Sequence, residues 1–168
     1  MRFAALVTIN EAFKLRYRLP IDDPEAIHEN DKVFVRANIL DAIKVNVDLR
    51  GFRKTYKEIL YKVIQSDFPN KYLELINLSI DNLKSASNEK EVLSSLIPIK
   101  LLIGNYEMVL GPERKQLEAL IPQVFPFLEN YAMKFMKQGS GDISIMILTK
   151  ILKCFLMCNY LTCEDYFQ

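Results

Sequence analysis

Residues 88–103 read NEKEVLSSLIPIKLLI, and this stretch decides the fold class. From Val92 onward the apolar side chains fall on every side of a helix rather than on one stripe, which is typical of a helix buried among neighbours. Asn88 can cap the first turn, and Glu91 lies three residues later, where it can complete a capping box. Pro98 lacks the backbone N–H and is expected to kink the helix. The stretch therefore predicts a capped helix that packs between other helices.

Working outward, the same periodicity predicts seven helices in all. Alternate helices begin near Asp31, Pro69 and Pro112, which gives spacings of 38 and 43 residues. A helix pair that repeats at about 40–47 residues is typical of HEAT repeats, and stacked pairs bury a continuous core. A compact bundle would not require this spacing. The predicted helices cover Arg2–Arg18, Asp31–Asn46, Leu49–Ser66, Pro69–Ala86, Asn88–Met108, Pro112–Lys137 and Ile143–Tyr160.

The sequence thus predicts an all-α fold, an α-solenoid of antiparallel helix pairs in the manner of a HEAT or armadillo superhelix. Residues 1–168 are expected to form a single array of such repeats. The second half of repeat one is assigned to 1–18, repeat two to 31–66, repeat three to 69–108 and repeat four to 112–160.

Composition and charge exclude several classes of function. The 168 residues include 22 basic and 21 acidic side chains, so the net charge is +1. Non-specific binding of nucleic acid needs a basic excess, which is absent here. The apolar segment 143–161 carries Lys150 and Lys153 near its middle, which argues against insertion into a membrane. No glycine-rich phosphate loop, HExxH motif or Cys–His pair is present, so the sequence predicts neither an enzyme nor a cofactor.

The three cysteines, Cys154, Cys158 and Cys163, are crowded near the C-terminus. An odd number at this spacing does not indicate a disulfide framework, and it favours a reducing compartment. The only histidine, His28, is remote in sequence, so no zinc site is predicted.

The predicted third helix is amphipathic. Phe52, Tyr56 and Ile59 begin its apolar arc, whereas Lys54, Glu58 and Gln65 surround Tyr61 on the opposite face. An aromatic residue on a polar face often marks an interface, although these positions are also compatible with an ordinary solvated face.

Several short motifs, in consistent order, resemble the N-terminal HEAT repeats of importin-β-like karyopherins, and in particular the large nuclear import receptors. Tyr17 stands where such receptors usually have Trp, and the family's Leu-Lys-Asn reads Ile9-Asn10-Glu11 here. The motifs are Arg2-x-Ala4-Ala5 leading to Phe13 and Tyr17, Val35-Arg36-x-Asn38-Ile39-x-x-Ala42-Ile43, Asp67-Phe68-Pro69-x-x-Tyr72, Asn105-Tyr106-Glu107, Pro112-Glu113-Arg114 and Val124-Phe125-Pro126-Phe127-Leu128.

The resemblance implies a fragment of a nuclear transport receptor that shuttles between cytoplasm and nucleus. Its implied partners are the GTP form of Ran, protein cargo and Phe-Gly nucleoporins. In such receptors the second helices of the first repeats contact Ran, which here are the helices beginning at Arg2, Leu49 and Asn88. The residues carried over as Ran-binding candidates are Lys54, Glu58, Tyr61, Gln65, Glu91, Ser95 and Asn105.

A HEAT scaffold or adaptor unrelated to nuclear transport remains the alternative, because a fold does not by itself specify a function.

Overall fold

The computed structural model of the chain describes residues 2–106, 114–138 and 141–158, which form helices and connecting turns with no strand. The stretch that decided the fold class forms the helix Glu89–Tyr106, which begins directly after the predicted cap at Asn88. The helices are α1 (Arg2–Arg16), α2 (Glu29–Asn46), α3 (Arg50–Asp67), α4 (Leu75–Lys84), α5 (Glu89–Tyr106), α6 (Arg114–Gln138) and α7 (Asp142–Cys158). The all-helical prediction is confirmed.

The chain divides into two compact units, Met1–Leu73 and Glu74–Gln168. In the first unit, which we call unit 1, α1 and α2 both pack against α3. Phe3 contacts Phe52 near the start of α3, whereas Tyr17, just after α1, contacts Asp67 at the end of α3. These contacts show that α1 and α3 are parallel. Arg36, in the first half of α2, contacts Asp67 at the end of α3, so α2 and α3 are antiparallel. Unit 1 is therefore an antiparallel pair, α2 and α3, with α1 stacked beside its second helix.

The second unit, unit 2, repeats this packing with one more helix. Helix α5 contacts α4, α6 and α7, as expected for a helix that is apolar all round. Ser144 of α7 donates a hydrogen bond to Glu89 at the start of α5, and Met157 lies against Gly104 near the end of α5, so α5 and α7 are parallel. Helix α4 also packs against α6. In both units, helices two apart in the chain pack side by side. This is how helix pairs stack in an α-solenoid.

The predicted cap of α5 is confirmed with one difference. The backbone N–H of Glu91 donates to Asn88 Oδ1 at 3.0 Å, as in a capping box. The Glu91 carboxylate accepts from the backbone N–H and the hydroxyl of Ser87, at 2.8 and 2.9 Å, rather than from the N–H of Asn88. The carboxylate therefore satisfies donors one residue further upstream.

The predicted start of the fourth helix at Pro69 is wrong, because α4 begins at Leu75. Residues 68–72 instead belong to unit 1. The Phe68–Pro69 peptide bond is cis, Phe68 is buried, and the hydroxyl of Tyr72 donates to the backbone carbonyl of Arg36 at 2.6 Å. Tyr72 is thus a core residue of unit 1 and not a position on α4.

The spacing of Phe3, Leu6, Ile9, Phe13 and Tyr17 predicts one apolar stripe on the first helix, and this prediction is only partly correct. Leu6, Phe13 and Tyr17 are buried, but Phe3 and Ile9 are 44% and 48% exposed. Between Leu6 and Phe13, the buried side of the helix is instead occupied by a polar residue, Asn10.

For the sixth helix, the periodicity predicts that Leu117, Leu120, Ile121, Phe125, Leu128 and Phe135 face inward. Of these, Ile121, Phe125, Leu128 and Phe135 are buried in α6. Leu117 and Leu120, also expected to face inward, lie within α6, but the structure does not describe their side chains. The predicted helix start at Pro112 and the predicted end of the last helix at Tyr160 lie outside the described residues. The sequence predicts Asp142 as the capping residue before the last helix, but Asp142 is instead the first residue of α7. The backbone N–H of Ile145 donates to the carbonyl oxygen of Gly141.

A buried ionic network joins all three helices of unit 1. Asp67 Oδ2 accepts hydrogen bonds from the hydroxyl of Tyr17 and from Arg36 Nη1, both at 2.6 Å. Arg36 Nη2 donates to Glu29 Oε1 at 2.8 Å, and Lys71 Nζ lies 3.4 Å from Oε2 of the same carboxylate. Burial and the hydrogen bond to Asp67 raise the pKa of Tyr17 well above its usual range. The Arg36 hydrogen bond, followed by that of Lys71, lowers the pKa of Glu29 despite partial burial.

Candidate protein-binding surface on α3

Four of the predicted site residues lie on one stripe of α3. Lys54, Glu58, Tyr61 and Gln65 follow the i, i+4, i+7, i+11 spacing that places side chains on the same side of a helix. The opposite side contains Ile59, Leu60, Val63 and Ile64 and is buried in unit 1. Lys54 is exposed and Tyr61 is 37% exposed, whereas Glu58 and Gln65 are half-buried.

The place of Glu58 on the predicted polar face implied a free surface carboxylate. Glu58 instead connects α3 to α1. Asn10 Nδ2 donates to Glu58 Oε2 at 2.7 Å, and Lys14 Nζ lies 3.3 Å from the same oxygen. The hydrogen bond from Asn10 is the main cause that lowers the pKa of Glu58, with Lys14 adding to it against partial burial. Lys14 also pairs with Glu11 at 2.8 Å.

Asn10 was not predicted as a contact residue from the sequence. The one available signal was its spacing, since it stands four residues after Leu6 and three before Phe13 on the side that becomes buried. In the part of the chain that the structure describes, two buried amide oxygens accept no hydrogen bond, namely Asn10 Oδ1 and Gln65 Oε1.

The residues predicted on α5 lie in unit 2 and have mainly structural contacts. Glu91 belongs to the helix cap described above. Ser95 is only 4% exposed, and its hydroxyl donates to the backbone carbonyl of Glu91 at 2.8 Å. As a candidate contact residue, Ser95 was expected on the outward face of its helix, and this expectation is wrong because α5 has helices packed around it. Asn105 is half-buried.

Lys54 and Tyr61 are thus the candidate residues whose side chains are exposed, one turn to either side of Glu58. An exposed aromatic ring suits contact with another protein, and a lysine on the same helix face favours a partner surface with acidic groups. Within the described ranges, no group of three or more His, Cys, Asp or Glu residues could hold a metal ion. Cys154 is a buried free thiol on α7, and burial raises its pKa to about 12. Cys158 is buried on the same helix, and Cys163 lies outside the described residues.

None of the helices in the described segments is long and apolar enough to cross a membrane. The lysines of α7 are consistent with that finding.

The fold and this surface define a helix-pair protein whose exposed features suit protein binding, and comparison with known proteins adds a distant similarity to importins. The chain is 29% identical to Importin-8 of Mus musculus over 132 residues, which cover 79% of this chain and 13% of the relative. Importin-8 of Danio rerio is 28% identical and that of Homo sapiens 27%, over the same length. The chain spans only 12–13% of the length of these relatives. No family model and no solved structure matches.

Acid is expected to loosen the contact between α1 and α3. The pKa of Glu58 in the folded chain is below its ordinary value near 4.5, so its contribution to stability is present above pH 4.5 and is lost as the pH falls through the folded-state value. The free energy of unfolding of the Glu58→Gln variant should therefore depend less on pH below 4.5 than that of the native chain. Urea unfolding at a series of pH values measures this. Equal pH dependence in the two proteins would contradict the assignment.

Proposed function

We propose that the chain is the N-terminal part of a nuclear transport receptor of the importin-β class, which binds the GTP form of Ran and helps to carry protein cargo through nuclear pores. The observation that carries this proposal is the similarity to Importin-8 over 132 residues, 79% of the chain. On this proposal the protein is not an enzyme, and it shuttles between cytoplasm and nucleus. Protein cargo and Phe-Gly nucleoporins are further proposed partners of the whole receptor.

The packing within each unit supports the repeat assignment that this proposal needs. The division at residues 73 and 74 falls just before α4 and five residues inside the proposed third repeat, 69–108, so the first helix of that repeat begins later than proposed. In unit 1, α1 stands as the second helix of repeat one beside the α2–α3 pair. In unit 2, the α4–α5 pair and the α6–α7 pair form the proposed third and fourth repeats.

Residues from three of the motifs that carry the family resemblance meet in the buried network of unit 1. Tyr17, Arg36, Asp67 and Tyr72 contact one another directly or through the Arg36 backbone. The resemblance in unit 1 therefore rests on residues that hold the helices together. It supports a shared fold, and a test of function has to be directed at the exposed surface.

Lys54 and Tyr61 of α3 are the proposed Ran contacts. Exposed aromatic residues frequently carry much of the binding energy at interfaces, and a nearby lysine favours an acidic partner surface. A receptor can distinguish the two nucleotide forms of the GTPase because the γ-phosphate orders the switch segments. Only the GTP form then presents the complete surface to the receptor.

The test is a binding experiment with the 168-residue chain and Ran loaded with GTP or with GDP. We expect preferential binding of the GTP form, measured by calorimetry or by pull-down. Equal binding of both forms, or binding of neither, would contradict the proposal and favour a HEAT scaffold or adaptor unrelated to transport.

The double substitution Lys54→Ala with Tyr61→Ala tests the location of the contact. We expect affinity for the GTP form to fall by about tenfold or more, since hot-spot residues cost over about 1 kcal/mol when truncated. The matched control is Lys137→Ala on α6, an exposed lysine of unit 2 that should leave affinity unchanged. Unchanged affinity in the double variant would remove α3 from the proposed interface.

A further inference from the structure

An apolar groove runs between α1 and α2 in unit 1. These two helices pack on α3 rather than on each other, and the space between them has a volume of about 220 Å³. Leu6, Ile9 and Phe13 form its α1 side, Phe34 and Val35 belong to its α2 side, and Tyr56 of α3 contributes to its floor. Phe34 is 67% exposed and Ile9 is 48% exposed, so the groove leaves large apolar side chains in contact with water.

The groove offers few polar groups that could orient a small ligand: apart from the Tyr56 hydroxyl and the Asn38 amide, its lining side chains are apolar. Asn38 is its only amide, and Asn38 Nδ2 already donates to the backbone carbonyl of Phe34 at 2.8 Å. Ligand sites usually combine an apolar lining with several converging polar groups. A row of apolar side chains from a helix fits this groove better than a small polar molecule does.

Helix α7 in unit 2 carries an exposed apolar ridge. Ile145, Leu152 and Leu156 are 58%, 61% and 60% exposed, and with Thr149 they follow the i, i+4, i+7, i+11 spacing of one helix face. The opposite side of α7 packs in the core through Ile147 and Ile151. The ridge therefore has the form of the apolar face of an amphipathic helix, over about three turns.

The charges beside the two surfaces are complementary. On α2, Asp41 stands on the same stripe as Phe34 and Asn38 and is exposed. On α7, Lys153 stands next to Leu152 and is exposed. A carboxylate beside the groove and an ammonium group beside the ridge favour association of these two surfaces and fix its register.

We propose that the ridge on α7 of one copy of this chain occupies the groove between α1 and α2 of a second copy. The groove and the ridge are different surfaces, so the contact is heterologous and each copy can both donate a ridge and accept one. Association then continues from copy to copy and grows with concentration.

The first experiment measures the mass of the 168-residue chain by analytical ultracentrifugation over about a hundredfold range of concentration. The native chain should move from monomer to dimer and larger species. Phe34→Glu, which places a charge in the groove, and Leu152→Glu, which places one on the ridge, should each weaken association by about tenfold or more. A native chain that stays monomeric throughout would overturn the proposal.

The decisive experiment mixes the two variants. The Phe34→Glu chain retains an intact ridge and the Leu152→Glu chain retains an intact groove, so an equimolar mixture should form a 1:1 dimer that grows no further. Loss of association in both variants without recovery on mixing would overturn the proposal, because it would indicate general apolar aggregation.

Leu15→Glu and Met136→Glu are the matched controls. Leu15 is 73% exposed on the side of α1 away from the groove, and Met136 is 72% exposed on α6. Both control variants should associate like the native chain, and circular dichroism should show native helix content in all four variants. Association weakened equally by the controls would contradict a specific contact.

Exchange of the two charges tests the register. Asp41→Lys and Lys153→Asp should each weaken association, because each places two like charges at the contact between copies. A chain that carries both substitutions restores an opposite pair at every such contact and should associate like the native chain. Absence of any recovery in this double variant would exclude the ion pair from the interface.

Discussion

Replacing Arg36 by methionine is expected to lower the free energy of unfolding of unit 1 by about 3–5 kcal/mol, because the substitution leaves a buried carboxylate without its cation. Asp67 is 3% exposed, and the Arg36 side chain is 10% exposed. The remaining donor to Asp67, the hydroxyl of Tyr17, is neutral and cannot compensate for the charge. Urea unfolding followed by circular dichroism measures the loss, and hydrogen exchange of peptides from α1 to α3 locates it.

The double variant Arg36→Met with Asp67→Asn provides an internal check. Removing both charges should recover part of the stability that the single substitution loses, because a neutral amide costs less to bury than an unpaired carboxylate. Arg50→Met is the matched control: Arg50 is exposed at the start of α3, so its replacement should change stability by no more than about 0.5 kcal/mol. A single variant as stable as this control would contradict a structural role for the network.

The elements that could be predicted best from the sequence are those whose pattern is local. The cap at Asn88, the all-round apolar face of α5 and the buried arc of α3 depend on residues within a few turns of one another. Helix periodicity and capping chemistry report such features directly.

The errors arose where distant parts of the chain meet. Proline favours the first turn of a helix, and Pro69 therefore suggested that α4 begins there. The segment is instead held by the contact of Tyr72 with Arg36, 36 residues away. Asn10 pairs with Glu58 across 48 residues, so a polar residue fills a buried position that no local pattern marks.

The same division applies to the candidate surface: exposure set by the pattern within α3 could be predicted, whereas contacts with other helices could not. Lys54 and Tyr61 are exposed on the predicted face because the amphipathic pattern of α3 fixes which side is buried. Burial of Ser95 depends on the helices around α5, and the role of Glu58 depends on α1. Neither neighbour could be assigned from the sequence of the helix itself.

Replacing Phe125 by alanine is the second substitution with a large expected effect, a loss of about 3–5 kcal/mol in the free energy of unfolding of unit 2. Phe125 is fully buried in α6, and its ring meets that of Phe155 of α7 edge to face, with 4.7 Å between centroids. The substitution removes this aromatic contact and leaves a cavity that a helix pair can only partly close. Urea unfolding measures the loss, and hydrogen exchange should place the lost protection in α6 and α7.

Phe127 supplies the control for this substitution because it lies on the same helix and is only half-buried. Its ring contacts the ammonium group of Lys84 at 5.6 Å, an interaction worth about 0.5–1 kcal/mol at exposed sites. Phe127→Ala should therefore cost clearly less than Phe125→Ala, and Phe125→Leu, which keeps most of the volume, should fall between them. Equal losses for the two alanine variants would show that helix propensity, and not the contact between α6 and α7, determines the stability of this pair.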